Sequence, residues 1–225
     1  MQAGQSAQAT QLDYRERAIT IDPFNLTLSR HDLKLERDQT VTLQINVGLL
    51  CNQTCHHCNL DAGPGRKENM DAGTLEQVVN YARRGSFQAI DVTGGAPELN
   101  PNIVSLMEIL SPLASRIIFR SNLSALNDGK RDHLIDLLRA YHVVIVASLP
   151  SLNETQADFQ RGQGIFQSSM DALTKLNSIG YGQEGSGLEL NLVSNPTGAF
   201  LPPSLPIPDG KAVPTGSEEK MGSRF

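Results

Sequence analysis

Several features of other protein classes are missing from this chain, and each absence removes an expectation. No uninterrupted apolar segment approaches the ~20 residues that a membrane-spanning helix requires. The first twenty residues, "MQAGQSAQATQLDYRERAIT", lack the apolar core of a secretory signal. Acidic residues outnumber basic ones by 24 to 19, and the basic ones are scattered, so neither a nucleic-acid nor a lipid surface is expected. Cysteine is scarce, with three in 225 residues. An odd number of clustered thiols does not resemble the spread, even-numbered framework of a disulfide scaffold. These absences lead to the expectation of an intracellular, cytoplasmic chain in a thiol-reducing compartment, without membrane or nucleic-acid partners. The polar start leaves an organellar address open. At 24.4 kDa the length supports one sizeable core.

What is present is a concentration. Cys51, Cys55 and Cys58 all fall in "LQINVGLLCNQTCHHCNLDAGPG", directly after an apolar run. A bridged pair would leave one thiol over. A zinc site could recruit His56 or His57 to complete a Cys3His set, although zinc knots usually draw a second ligand pair from a dozen or more residues away. Three thiolates from one short loop also suit a cubane iron–sulfur cluster with one iron left open.

The surrounding pattern alternates between two periods. In "VTLQINVG", Val41, Leu43, Ile45 and Val47 alternate with polar residues, predicting a strand over 41–48. Asp71 is placed to cap a helix carrying Leu75, Val78, Val79 and Ala82, with Gly85 stopping it. "FQAIDVTGG" reads as a second strand. Asn100 and Pro101 form a cap and first turn for a helix bearing Ile103, Leu106, Met107 and Leu110. "RIIFRSN" is a third strand, followed by a helix marked by Leu134, Leu137 and Leu138. "HVVIVASLP" reads as a fourth strand buried on both faces. A fourth helix carries Phe166, Met170, Leu173 and Leu176 and closes at Gly180, and "GLELNLVSN" is a fifth strand. Five alternations predict parallel strands with right-handed crossovers. An open doubly wound sheet shares this pattern. A partial TIM-like barrel is preferred because polar residues recur at the strands' C-terminal ends: the cysteine loop, Thr93 to Glu98, Arg120 to Asn122, Ser148 and Asn195. The expected organisation is an extension over 1–39, a core over 40–198 and an irregular tail over 199–225. Six of the twelve prolines follow Asn195.

A C-x3-C-x2-C loop after the first strand, with "TGG" after the second, resembles the radical S-adenosylmethionine (SAM) enzymes. "CNQTCHHCNLDAGP", "DVTGGAPELNP", "VVIVASLP" and "EGSGLELNLVSNP" resemble one branch of them, the arsenosugar-biosynthesis radical SAM proteins. The resemblance implies an α/β fold, a partial (β/α) TIM-like barrel. It also implies a [4Fe-4S] cluster on Cys51, Cys55 and Cys58, with SAM chelating the fourth iron. Reductive cleavage of SAM to a 5′-deoxyadenosyl radical would follow, and then adenosylation of dimethylarsenite, a small-molecule substrate carrying methylated trivalent arsenic. The electron would come from a reduced flavodoxin or ferredoxin type donor. On the same footing, Gly94 and Gly95 meet the SAM amino group, and Glu98, Asn122 and Ser148 are candidate cofactor contacts. Arg120 is a candidate for the carboxylate or the substrate, His57 packs near the adenine, and Asp61, Gly63 and Pro64 shape the loop's exit. No side chain is assigned as a catalytic acid, base or nucleophile.

The chain departs from the wider superfamily pattern after its glycines, and from that branch in two further ways. Ala96 and Pro97 separate the glycines from Glu98, where many relatives have a glutamate directly after them. Ser121 and Ser151 stand where the branch tends to carry cysteines. A sixth strand and a cysteine-rich extension are not found, so a second expectation is a truncated, inactive paralogue or fragment that retains only an iron–sulfur or zinc loop.

Overall fold

The computed structural model describes residues 22–56 and 58–194. Residues 1–21, His57, Asn195 and the proline-rich tail lie outside the described residues. The chain divides into two compact units, residues 1–39 and 40–225. The first contains helix α1 (Phe24–Arg30), which buries no residue and which the apolar pattern did not signal.

The second unit holds a sheet of five parallel strands: β1 (Thr42–Asn46), β2 (Ala89–Thr93), β3 (Arg116–Ser121), β4 (Val144–Ser148) and β5 (Leu190–Val193). Their spatial order is β1-β2-β3-β4-β5. A doubly wound sheet reverses its order at a switch point. Sequential order without reversal is the winding of a barrel wall, so the sheet is a partial TIM-like barrel.

Helices α2 (Ala72–Arg84), α3 (Ile103–Leu110), α4 (Asp132–Ala140) and α6 (Ile165–Ser178) fill the crossovers. Their apolar sides merge with one sheet face into a single core containing Ile45, Ile90, Phe119, Ile145, Leu106 and Leu138. Asp71 caps α2 as its sequence position implies, accepting from the Thr74 N–H at 2.8 Å. Gly85 ends that helix with extended backbone rather than a left-handed turn. Its requirement is space, because a Cβ there would sit 2.1 Å from the Phe87 ring.

Two local expectations change. Helix α3 begins at Ile103, and Asn100 is not its cap. Instead, buried Asn100 donates to the carbonyls of Val47 and Met70, each at 3.1 Å, and accepts from the Asn102 N–H at 2.9 Å. It ties the end of β1 to the start of the α2 crossover. Between β4 and α6 lies an additional helix, α5 (Glu154–Arg161), capped by Asn153 and burying only Ala157 and Asp158. So polar a segment has no apolar stripe to read.

Replacing Asn100 with alanine would leave the part-buried Met70 carbonyl and Asn102 N–H without these partners. A loss of about 2–3 kcal/mol in unfolding free energy is expected, read by urea denaturation with an unchanged m-value. A loss below about 0.5 kcal/mol would mean that the carbonyls find water instead.

Candidate functional site

Beyond Asn46 the backbone of β1 continues beside the end of β2. The Gly95 N–H donates to the Gly48 carbonyl and the Ala96 N–H to the Leu50 carbonyl, each at 2.9 Å. The chain then enters the cysteine loop and returns along the same ladder. The Cys51 N–H donates to the Gly63 carbonyl at 3.2 Å, and the Gly63 N–H to the Leu49 carbonyl at 3.1 Å. Asp61 adopts a left-handed conformation at the loop's exit. Gly95 makes this close approach possible. A Cβ there would lie 2.6 Å from the Leu50 carbonyl oxygen and 2.9 Å from that of Leu49. At Gly94 it would lie 2.9 Å from the Gly48 carbonyl oxygen. The glycine pair is therefore the packing surface for the strand that delivers Cys51.

All three cysteines line one cavity of about 220 Å³, together with Gly95, Asn122, Ser148, Gln160 and Arg161 among others. Asn122, after β3, donates from Nδ2 to Cys51 Sγ at 3.4 Å and to Asn52 Oδ1 at 2.8 Å. The Ala62 N–H donates to Cys58 Sγ at 3.3 Å, and the Cys55 thiol donates to Gln53 Oε1 at 3.2 Å. Gln53 and Asn52 both donate to Ser124 Oγ, at 2.7 and 2.8 Å. The corner after β3 thus holds the cysteine loop in place. That corner includes Leu123 at φ 67°, a conformation costly for a branched residue. The Leu123 N–H donates to Ser121 Oγ at 2.9 Å, and the Ala125 N–H to Asn122 Oδ1 at 3.0 Å.

Burial pushes the thiols of Cys51 and Cys55 above their ordinary pKa. Hydrogen bonds from the Gln53 backbone and Asn122 oppose this at Cys51, and the Arg161 charge opposes it at Cys55. Among the described residues, no three His, Cys, Asp or Glu groups are gathered as holders of a single metal ion. Of the two histidines that could complete a Cys3His set, His56 packs its ring against Phe159 and His57 lies outside the described residues. An iron–sulfur cubane takes one cysteine thiolate per iron. Three thiols facing one cavity, two of them accepting hydrogen bonds at sulfur, fit that group.

The other candidates divide. Ser148 lines the cavity, with its hydroxyl donating to the Ser121 carbonyl at 3.3 Å. Glu98 does not line it. Its carboxylate is 1 % exposed and accepts from Ser121 Oγ, while Oε2 has no hydrogen-bond partner among the described residues. Proximity in sequence to the glycines was misleading, because the turn at Pro97–Leu99 carries Glu98 inward under β3. Arg120 is also committed elsewhere. It pairs with both oxygens of buried Asp91 at 2.9 and 3.0 Å on the sheet face away from the core, where Gln44 joins them at 2.9 Å. His56 packs its ring against Phe159 with centroids 5.5 Å apart, and its backbone N–H donates to the Gln160 carbonyl at 3.0 Å. The contribution of α5 to this wall, including Arg161, was not anticipated. The signal available was "DFQRGQG", in which Asp158 and two glycines fix a corner.

The Radical SAM superfamily model matches residues 45–191 of the chain. The chain belongs to the radical SAM superfamily. That membership implies a [4Fe-4S] cluster and SAM as cofactors. A curated relative, "Putative peptide biosynthesis protein YydG" of Bacillus subtilis (strain 168), is 31% identical over 83 residues, covering 36% of this chain and 26% of YydG. Streptococcus suis SuiB bound to S-adenosylmethionine has the same fold over 75% of this chain and 36% of its own, with TM-score 0.56 and 16% identity. Histidine-tagged anSMEcpe with bound AdoMet matches over 70% of this chain and 43% of its own, with TM-score 0.53 and 15% identity. The radical SAM chain described here therefore spans a quarter to under half the length of these proteins. Among the described residues, no helix is long and apolar enough to cross a membrane.

Two outcomes follow from the geometry. Gly95→Ala forces backbone apart where Leu49 and Leu50 lead into Cys51, so anaerobic reconstitution should leave this variant with less than half the wild-type iron and sulfide per chain. Full loading would show that the ladder yields without disturbing the loop. The second concerns Glu98, which burial pushes up to about 7 against a partial offset from the Ser121 hydrogen bond. A raised folded-state pKa gives stability that is complete below the unfolded value of 4.5 and is lost as pH rises through about 7. The stability of wild type relative to Glu98→Gln should therefore fall by roughly 3 kcal/mol between about pH 4.5 and pH 8, measured by chemical denaturation. A pH-independent difference would show that the carboxyl ionises normally.

Proposed function

We propose that this chain acts as a radical SAM enzyme that reductively cleaves SAM, with residues 40–198 as its core, 1–39 as an extension and 199–225 as a tail. The single observation that carries the reading is the convergence of Cys51, Cys55, Cys58 and Gly95 on one cavity. A [4Fe-4S] cluster held by Cys51, Cys55 and Cys58 would supply the one-electron reducing chemistry on which cleavage of the SAM sulfonium depends. The residues of this chain hold and tune. Cys51, Cys55 and Cys58 are the thiolate ligands. The Asn122 and Ala62 N–H groups bond to sulfur, which stabilises thiolate charge and raises the potential. Gly94 packs against Gly48 and holds Gly95 at the cavity wall, where the bare backbone admits a close ligand. Ser148 Oγ, donating to Ser121, keeps lone pairs free to accept from a ligand hydroxyl. Glu98 acts at one remove, holding the β3 corner through Ser121. The electron donor on this reading is a reduced flavodoxin or ferredoxin, and the location is cytoplasmic.

For the substrate, the strings shared with the arsenosugar branch support transfer of the adenosyl group to dimethylarsenite. Trivalent arsenic favours thiolate ligands, and the chain has only the three cysteines given to the cluster. A second reading, modification of a peptide, draws on YydG, whose name refers to peptide biosynthesis. The third is a fragment that binds a cluster without turnover.

Anaerobically reconstituted chain, given dithionite and SAM, should release 5′-deoxyadenosine, and Cys55→Ala should release none. Addition of dimethylarsenite should divert the adenosyl group into an arsenic-containing product detected by mass spectrometry. Undiverted 5′-deoxyadenosine would remove the arsenic assignment. A fully loaded cluster with no SAM cleavage would leave the binding fragment.

A further inference from the structure

The sheet face turned away from the core carries charge where a barrel interior usually carries branched aliphatic layers. Strand alternation points Gln44, Asp91, Arg120 and Asn191 to that side, while Ile45, Ile90, Phe119 and Ile145 lie in the core. Gln44 stands opposite Asp91 in register, and Arg120 stands opposite Val146, which in turn pairs with Asn191. Asn122, Ser148 and Val193, each two residues further along its own chain segment, line the cysteine cavity. Two residues of strand span about 7 Å. The charged layer therefore lies one pleat from the cofactor cavity, on the same face.

Within that layer the ion pair is asymmetric. The Asp91 side chain is 5 % exposed and that of Arg120 is 41 % exposed. Arg120 Nε lies 2.9 and 3.0 Å from the two Asp91 oxygens, and Nη2 lies 2.9 Å from Oδ2. Gln44 Nε2 donates to the same Oδ2 at 2.9 Å. One edge of the guanidinium is thus occupied. Nη1 has no partner among the described residues, so the edge formed by Nη1 and the second N–H of Nη2 stays open. Stability alone does not call for such a pair, because apolar residues of similar volume serve as well. Its effect here is to fix the plane of a guanidinium whose open edge is a two-donor fork.

The fork sorts ligands by chemistry. Two parallel N–H donors match two oxygens on one planar group. A carboxylate carries a single charge and can share the guanidinium with Asp91. A phosphate dianion would face the Asp91 charge at short range. Dimethylarsenite, with one oxygen, leaves half the fork unfilled.

We infer that Arg120 binds a carboxylate of the substrate on the open face of the sheet, with Asp91 as its positioning residue. The inference rests on the radical SAM reading above and names the substrate class. It favours a carboxylate-bearing molecule such as a peptide over dimethylarsenite.

The test uses the reconstituted full chain, unreduced and with SAM present, so that no turnover occurs. Binding of N-trifluoroacetylglycine and of its neutral amide is followed by fluorine NMR relaxation, with iron content and circular dichroism recorded for each variant. Wild type should favour the carboxylate probe at least tenfold over the amide. Arg120→Lys, which keeps the charge beside Asp91 without the fork, should cut that preference at least threefold. The double variant Asp91→Asn with Arg120→Gln should abolish it, and it leaves no buried carboxylate unpaired. Arg120→Lys carries the test should the double variant fail to fold. In Asp91→Asn alone, inorganic phosphate in mildly alkaline buffer should gain at least fivefold on the carboxylate probe, which a purely structural Asp91 would not produce. An unchanged phosphate ratio overturns the part given to Asp91. No preference in wild type, or an undiminished preference in the Arg120 variants, overturns the inference. Failure of the radical SAM reading would appear separately, as a fully loaded cluster without SAM cleavage when dithionite is added.

Discussion

Everything at the site depends on how closely two strand ends can approach. Past Asn46 and Thr93 the regular pairing of β1 with β2 ends, yet hydrogen bonds continue from Gly95 and Ala96 to Gly48 and Leu50. Those bonds require backbone within a distance that a Cβ at position 95 would occupy. The cysteine loop leaves and re-enters through this ladder, with Cys51 and Gly63 bonded across it. A loop of polar residues would otherwise have few native constraints, because side chains such as Asn52 and Thr54 bury little apolar surface. Backbone ladder and glycine together make the three sulfurs a set.

The second ordering force is the placement of charge. No carboxylate lines the cavity among the described residues. The acidic side chains near it are engaged elsewhere: Asp91 with Arg120 and Gln44, Asp158 at the start of α6, and Glu98 against Ser121. Thiolates are anionic, and like charges at short range in a poorly solvated wall repel strongly. Withholding carboxylates while presenting N–H donors and one guanidinium leaves a site suited to anionic ligands. Polar residues on the open face of the sheet, including Gln44, Asp91, Arg120 and Asn191, also set this wall apart from barrels whose interiors are filled by branched aliphatic layers.

Much of the framework was legible because burial writes a period into sequence. Ile45 and Val47 alternate, with Leu43 packed against them, and Leu75, Val79 and Ala82 recur at helical spacing; each set belongs to the core. Where burial is slight, the signal fades. Helix α5 buries only Ala157 and Asp158, and its large apolar residue, Phe159, is 72 % exposed. It carries no apolar stripe. Asn100 was assigned by its place before a proline, whereas its side chain answers to carbonyls 53 and 30 residues away.

Taken alone, the sequence determined the alternation of strand and helix, the parallel sense of the sheet and the delivery of three thiols at one strand end. These follow from local periodicity and from residues adjacent along the chain. Only the tertiary structure decided which polar side chains meet those thiols. Asn122 bonds to Cys51 across 71 residues, Arg161 reaches the cavity by way of a corner set by Asp158, and Glu98 turns away despite neighbouring the glycines. Such contacts depend on strand order, register and the direction of short turns, which hydrophobic patterning along the chain does not encode.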